Sequence, residues 1–234
     1  MLFPDATAKC LNLDFEKKGE QIGYVIGAGD NVHAALVQMG YKVTLLKQED
    51  IYASNLKKFD TVVLGIRVYN TINGFKLHKK ALMEYVHNGG TLVVQYNTLP
   101  AFNSPHKNLL DSIGPYSFAV SNERVTEVDA EIRFLKPDHQ VLNTPNKITQ
   151  KDLEGWVHER GLCMPKEWSS EYEAILSSND HGETPKDSGL LIAPYGKGYY
   201  VYTTYAWFRQ LPAGVPGAYR IFANIISLRN DQEA

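Results

Sequence analysis

Nucleophilic chemistry on an α/β scaffold needs a Ser or Cys between small residues on a sharp strand-to-helix turn, so that the side chain stands clear of the backbone. The chain holds no G-x-S-x-G segment. Its nearest approach is Gly161-Leu162-Cys163-Met164-Pro165, with His181 and Glu183 downstream as base and orienting carboxylate. The fit is poor. No strand-like apolar run precedes Cys163, Pro165 occupies the place of a small helix-opening residue, and the His-Glu pair follows too soon for a sheet to be built in between. A half-buried structural cysteine is the competing reading.

Two other chemistries fare no better. Seven histidines are scattered without H-E-x-x-H or paired-cysteine spacing, and the cluster Asp180, His181, Glu183 describes a solvated turn as well as a metal site. Gly27-Ala28-Gly29, between a strand and a helix, resembles a phosphate-binding turn, but Val32 takes the third glycine's place and Asp30 would set a carboxylate beside the phosphates. A tight turn followed by a helix cap fits better.

The elements that must carry these residues follow from hydrophobic periodicity. Ile22 to Ile26 is an apolar run and predicts a buried first strand; Asp30 then predicts an N-cap, with Val32, Ala35, Leu36 and Met39 at helical spacing up to Gly40. Tyr41 to Leu46 and Thr61 to Ile66 predict the next strands. Leu77, Ala81, Leu82, Tyr85 and Val86 predict an amphipathic helix closed by Asn88-Gly89-Gly90, and Thr91 to Val94 predicts another buried strand. Strand and helix alternating in this way means a parallel α/β sheet. From Thr98 to about Pro185 the pattern dissolves into short Pro-, Asn- and Asp-rich pieces, which predicts long, partly ordered insertions. Order returns in Gly189–Ala193 and Tyr199–Thr203, a β-hairpin through Tyr195-Gly196-Lys197-Gly198, and in a last helix apolar on two faces, around Tyr219 to Leu228. Residues 1–20, polar and aperiodic, read as an arm or linker, and 21–230 as a single domain.

Topology then singles out one place. Ligands of open parallel sheets sit beyond the carboxyl ends of the strands, and here those ends are polar: Asp30, then Arg67, Tyr69 and Asn70, then Gln95, Tyr96 and Asn97, with Arg209 after the final strand. Such a mouth can hydrogen-bond a sugar, polyol or peptide. Equally, Arg67 and Asn97 can tie down the insertion that starts at Thr98 by satisfying its backbone groups. The 14 tyrosines, several crowded on the hairpin, offer sugar stacking or plain packing.

Composition excludes whole classes of partner. The 234 residues, 44% hydrophobic and 21% charged, can bury a globular core, and a formal net charge of -2 offers no field for nucleic acid or anionic membrane. No apolar run reaches the ~20 residues of a membrane span. Two cysteines exclude a disulfide scaffold, and the compartment stays open.

Longer motifs carry a resemblance. The strand-Gly-Ala-Gly-Asp-helix order, Phe59-Asp60-Thr61-Val62-Val63-Leu64-Gly65, and Tyr85-Val86-His87-Asn88-Gly89-Gly90-Thr91-Leu92-Val93-Val94 resemble class I glutamine amidotransferase-like domains, including the trehalose-utilisation type. Gly65 to Thr71, Val94 to Thr98, Gly155 to Gly161 and Arg209 to Arg220 look like the C-terminal region of large bacterial PIG-L/LmbE-type de-N-acetylases. The resemblance implies a three-layer, doubly wound, mostly parallel fold of the flavodoxin-like kind. Both parent activities lack their residues: Gln95, Tyr96 and Asn97 stand where amidotransferases carry cysteine, and the zinc-binding His-Pro-Asp-Asp segment does not occur. What it implies is a non-catalytic module, without cofactor of its own. Its partner is a zinc-bearing de-N-acetylase domain of the same parent chain, exported or periplasmic, that acts on N-acetylated sugars. Two alternatives stand beside it: a stand-alone hydrolase using Cys163, His181 and Glu183, and a carbohydrate-binding module using Arg67, Tyr69 and Asn97.

Overall fold

A computed structural model describes residues 10, 12–99 and 113–229. The N-terminal part runs β1 (Gln21–Val25), α1 (Val32–Gln38), β2 (Lys42–Leu45), α2 (Ala53–Leu56), β3 (Thr61–Leu64), α3 (Val68–Thr71), α4 (Lys79–His87) and β4 (Thr91–Gln95). The middle holds β5 (Phe118–Ala119), β6 (Glu123–Val125), β7 (Ile132–Phe134), α5 (Gln140–Asn143), β8 (Gly161–Met164), β9 (Glu167–Trp168) and β10 (Glu173–Ser178). The chain closes with β11 (Lys186–Tyr195), β12 (Gly198–Thr203), α6 (Trp207–Gln210) and α7 (Pro216–Ile226).

Eight strands form the central sheet in the order β2-β1-β3-β4-β12-β11-β10-β7. The first five are mutually parallel, and β12 lies in register beside β4, Val201 opposite Val93; β11, β10 and β7 continue antiparallel. The fold is thus α/β with a mostly parallel sheet. Side-chain alternation makes its two faces: Tyr24, Val63, Val93 and Val201 enter the core under α1 and α7, while Val25, Val62, Val94 and Tyr202 enter the core under α2 and α4. Both faces are dry, which is why these strands read as continuous apolar runs.

The last helix shows how completely one layer is enclosed. Every residue of α7 from Gly217 to Ile226 is buried except Arg220. A helix this deep must find partners for its terminal carbonyls. Thr61 Oγ1 donates to the Ile226 carbonyl at 2.8 Å and Thr91 Oγ1 to that of Leu228 at 2.7 Å, and the Arg229 guanidinium, beside the negative helix end, donates to both carbonyls.

Three expectations change. Helical spacing puts Leu77 on a buried face, yet it is 83% exposed, because Phe75–His78 forms a 3₁₀ turn of different phase and α4 starts only at Lys79. The stretch read as loose insertion is ordered from residue 113 onward, and its β7 and β10 extend the central sheet; the remainder, 100–112, lies outside the described residues. Residues 12–20, read as an arm, lie against the body: Leu13 and Phe15 pack on the core, Glu16 N donates to Asn146 Oδ1 and Lys18 N to Ser227 Oγ. Among the described residues no helix is long and apolar enough to cross a membrane.

Candidate binding site at the strand ends

The glycine turn after β1 serves packing. A Cβ on Gly27 would lie 1.9 Å from the Ile66 carbonyl oxygen, and one on Gly65 2.4 Å from Asp30 Oδ2. Their bareness lets the loops after β1 and β3 touch, with Ala28 N donating to Ile66 O at 2.8 Å. Asn31, rather than Asp30, occupies the cap position of α1. Asp30 is buried: its carboxylate accepts from the Tyr24 hydroxyl, from Ile66 N at 3.2 Å and from Val32 N at 3.3 Å. Gln95 belongs to the same buried group, donating to Tyr24 at 3.2 Å, while its Oε1 has no partner.

After β3 the chain turns through Arg67, which is left-handed at φ 59° and donates its backbone N–H to Tyr96 O at 2.8 Å. The turn splits the predicted residues. Tyr69 points into the core, edge-on to Phe75. Asn70 clamps Thr98 from both sides, donating from Nδ2 to its carbonyl and accepting from its N–H. Asn97 is buried, accepting from Tyr69 N and donating to Gln95 O, and its own N–H donates to Tyr202. These two asparagines tie down the chain beyond β4.

Beyond the strand ends, Arg67, Tyr96 and Arg209 come together with three residues that sequence reasoning assigned elsewhere or missed. Leu162 N donates to Thr204 O, Ala206 N donates to Arg160 O, and Gln210 holds the Val157 backbone at both its N–H and its carbonyl, so the 157–164 segment is laid across the end of β12. That brings Glu159 to Arg209, paired at 2.8 Å, with the guanidinium 4.9 Å above the half-buried Phe208 ring, itself 5.8 Å from Tyr96. It also delivers Cys163, which lies in strand β8. Burial pushes the Cys163 thiol upward and Glu159 adds to this against Arg124 and Arg67, so the sulfur stays protonated at neutral pH. Burial likewise raises the Tyr96 phenol, aided by Cys163 and opposed by Arg67.

His181 and Glu183 are not among the groups that act on Cys163. They sit on the β10–β11 turn, where His181 N donates to Glu127, Glu183 pairs with Lys186, and Asp180 accepts from Thr126 and Glu127. The Cys163-His181-Glu183 arrangement is therefore not assembled. Among the described residues no three histidine, cysteine or carboxylate side chains converge as a metal would require.

Strain marks the rim. Among the described residues the left-handed non-glycine positions are Arg67, His158 and Cys163, the first and last facing the mouth and His158 next to Glu159. Each such residue costs about 1–3 kcal/mol and concentrates where a site is held in place. Arg67 also has hydrogen-bonding capacity to spare: its Nε is buried without a partner, and no carboxylate pairs with it among the described residues.

Comparison with known proteins fixes the fold class. No protein-family model matches the sequence, and no curated protein is significantly similar to it. Among solved structures, a cytoplasmic protein from Salmonella typhimurium aligns over 91% of this chain and 100% of its own, at 14% identity and TM-score 0.58. A ThuA-like protein from Bacteroides uniformis aligns over 93% and 94%, at 12% identity and TM-score 0.51. A candidate GMP synthase component from Thermoplasma acidophilum aligns over 90% and 96%, at 12% identity and TM-score 0.53. The chain shares its overall α/β fold with these three proteins.

Proposed function

We propose that this domain is a non-catalytic amidotransferase-like module that binds carbohydrate at the strand ends. In this reading it serves a zinc-dependent de-N-acetylase domain of a longer parent chain, acting on N-acetylated sugars, whose chemistry resides in that partner. The observation that carries the reading is the turn after β4. Tyr96 and the locked Asn97 stand there, and Asn97's N–H, Oδ1 and Nδ2 are all engaged within the protein. Around this inert turn stand the phenol of Tyr96, the partly exposed Phe208 ring and the polar ends of Arg67, Glu159 and Arg209, a set suited to hydroxyl and amide groups beside an apolar sugar face.

Isolated protein should release neither ammonia from glutamine nor acetate from chitobiose, while chitobiose should bind and lose affinity in Tyr96→Ala. Turnover that disappears in Tyr96→Ala or Cys163→Ala would overturn the reading. The left-handed Cys163 at the rim favours a second reading, a stand-alone thiol hydrolase. Its raised thiol pKa and the separate engagement of His181 and Glu183 count against that one.

A further inference from the structure

The mouth carries an excess of one charge although the chain as a whole carries the other. Arg67, Arg124 and Arg209 act on the Tyr96–Cys163 spot, against the single carboxylate Glu159. Glu159 is committed to Arg209 at 2.8 Å. Arg67 pairs with no carboxylate among the described residues, its Nε–H is buried without an acceptor, and its backbone is held in a left-handed turn by the Arg67 N–H to Tyr96 O bond. A guanidinium on a backbone fixed in this way, with an unused donor and with two further arginines acting on the same Tyr96–Cys163 spot, is arranged to receive an oxyanion through its planar fork.

Resting on the sugar-binding reading above, we infer that the mouth selects acidic saccharides, with Arg67 receiving the sugar's carboxylate or phosphate and Phe208 lying beside the ring. The anion supplies the acceptor that Arg67 lacks, while the Arg209–Glu159 pair stays intact as a neutral wall. A neutral sugar at the same place offers Arg67 only uncharged hydroxyl acceptors, which bind a guanidinium about half as strongly as a carboxylate or phosphate does, and this is the source of the discrimination.

Calorimetric titration of the full chain with galacturonate against galactose, and with glucose 6-phosphate against glucose, tests this; the two arms separate carboxylate from phosphate as the recognised group. The expected result is at least about tenfold tighter binding of one acidic form than of its neutral counterpart. That preference should shrink as NaCl rises from about 50 to about 500 mM, since these charges are only partly shielded from solvent. Arg67→Gly, which fits the left-handed turn without strain and so keeps the fold, should abolish the preference, and Arg67→Lys should retain a reduced one. Equal affinity for acidic and neutral forms, or a preference that survives Arg67→Gly, overturns the inference. Chitobiose separates the two claims: its binding without any acid preference leaves the sugar-binding reading standing and sinks this one, whereas failure of every sugar to bind sinks both.

Discussion

Asp30 and Arg67 stand in equivalent places, each just beyond a parallel strand at the same edge of the sheet, and the strand-end rule puts both in the mouth. Their fates differ. Asp30 is turned inward and fully engaged by Tyr24, Val32 and Ile66, so its charge binds two loops together. Arg67 is held in a costly backbone conformation and its buried Nε–H is left unused. A polar residue at a strand end therefore announces a binding role only when its hydrogen-bonding capacity is left over after the protein's own backbone has been served.

The sharpest way to break this contrast is Asp30→Ala. It should lower unfolding free energy by about 3 kcal/mol, because the Tyr24 hydroxyl and Ile66 N–H would be left buried without acceptors. A urea denaturation series measures it, and a loss under about 1 kcal/mol would mean that water replaces the carboxylate. Alkali probes the same side of the sheet next. Burial pushes the Tyr205 phenol up to about 12, and burial with the Asp30 charge raises Tyr24 well above the ordinary value. Folded pKa values above the unfolded value of ~10 mean stability intact below that pH and lost as pH climbs towards 12, by about 2 kcal/mol for a group shifted by two units. Urea midpoints that stay level from pH 9 to about 12 would place these phenols in water.

On the other side of the comparison the sign reverses. Arg67→Gly should leave thermal stability unchanged or raise it by up to about 1 kcal/mol, since glycine adopts the left-handed turn freely. A clear drop in melting temperature would show that the arginine is a structural prop instead. The smallest effect concerns the sulfurs. Exposed Cys10 should react with iodoacetamide at pH 7.5 at least about tenfold faster than half-buried, protonated Cys163. Mass spectrometry of the labelled peptides reads the order, and early labelling of Cys163 would revive the hydrolase reading.

How much of this was legible in the sequence depends on how local the cause is. The apolar runs of β1, β3 and β4, the hairpin of β11 and β12 and the enclosed α7 announce themselves, because alternation and burial leave their pattern within a few residues. β7 and β10 do not: β7 has three residues, β10 is interrupted by register shifts against β11, and the place of both in the sheet depends on pairing with one another and with β11. The mouth was half legible. Arg67, Tyr96 and Arg209 follow from topology, but Glu159 and Cys163 arrive through bonds from residues 160 and 162 to 204–206, a tie that no spacing reveals. The one available signal was the Gly155 to Gly161 motif, which marked the segment without saying where it lands.

The place of β12 beside β4 has a consequence for the newborn chain. β4 ends at Gln95, and the strand that covers its free side is Gly198–Thr203. During synthesis, strands β1 to β4 can assemble long before their last neighbour leaves the ribosome, and until then β4 offers a bare row of backbone donors and acceptors to any passing strand. Premature termination anywhere short of Thr203 should therefore yield sticky aggregates instead of a smaller working unit, and chaperone dependence should peak over that interval of translation.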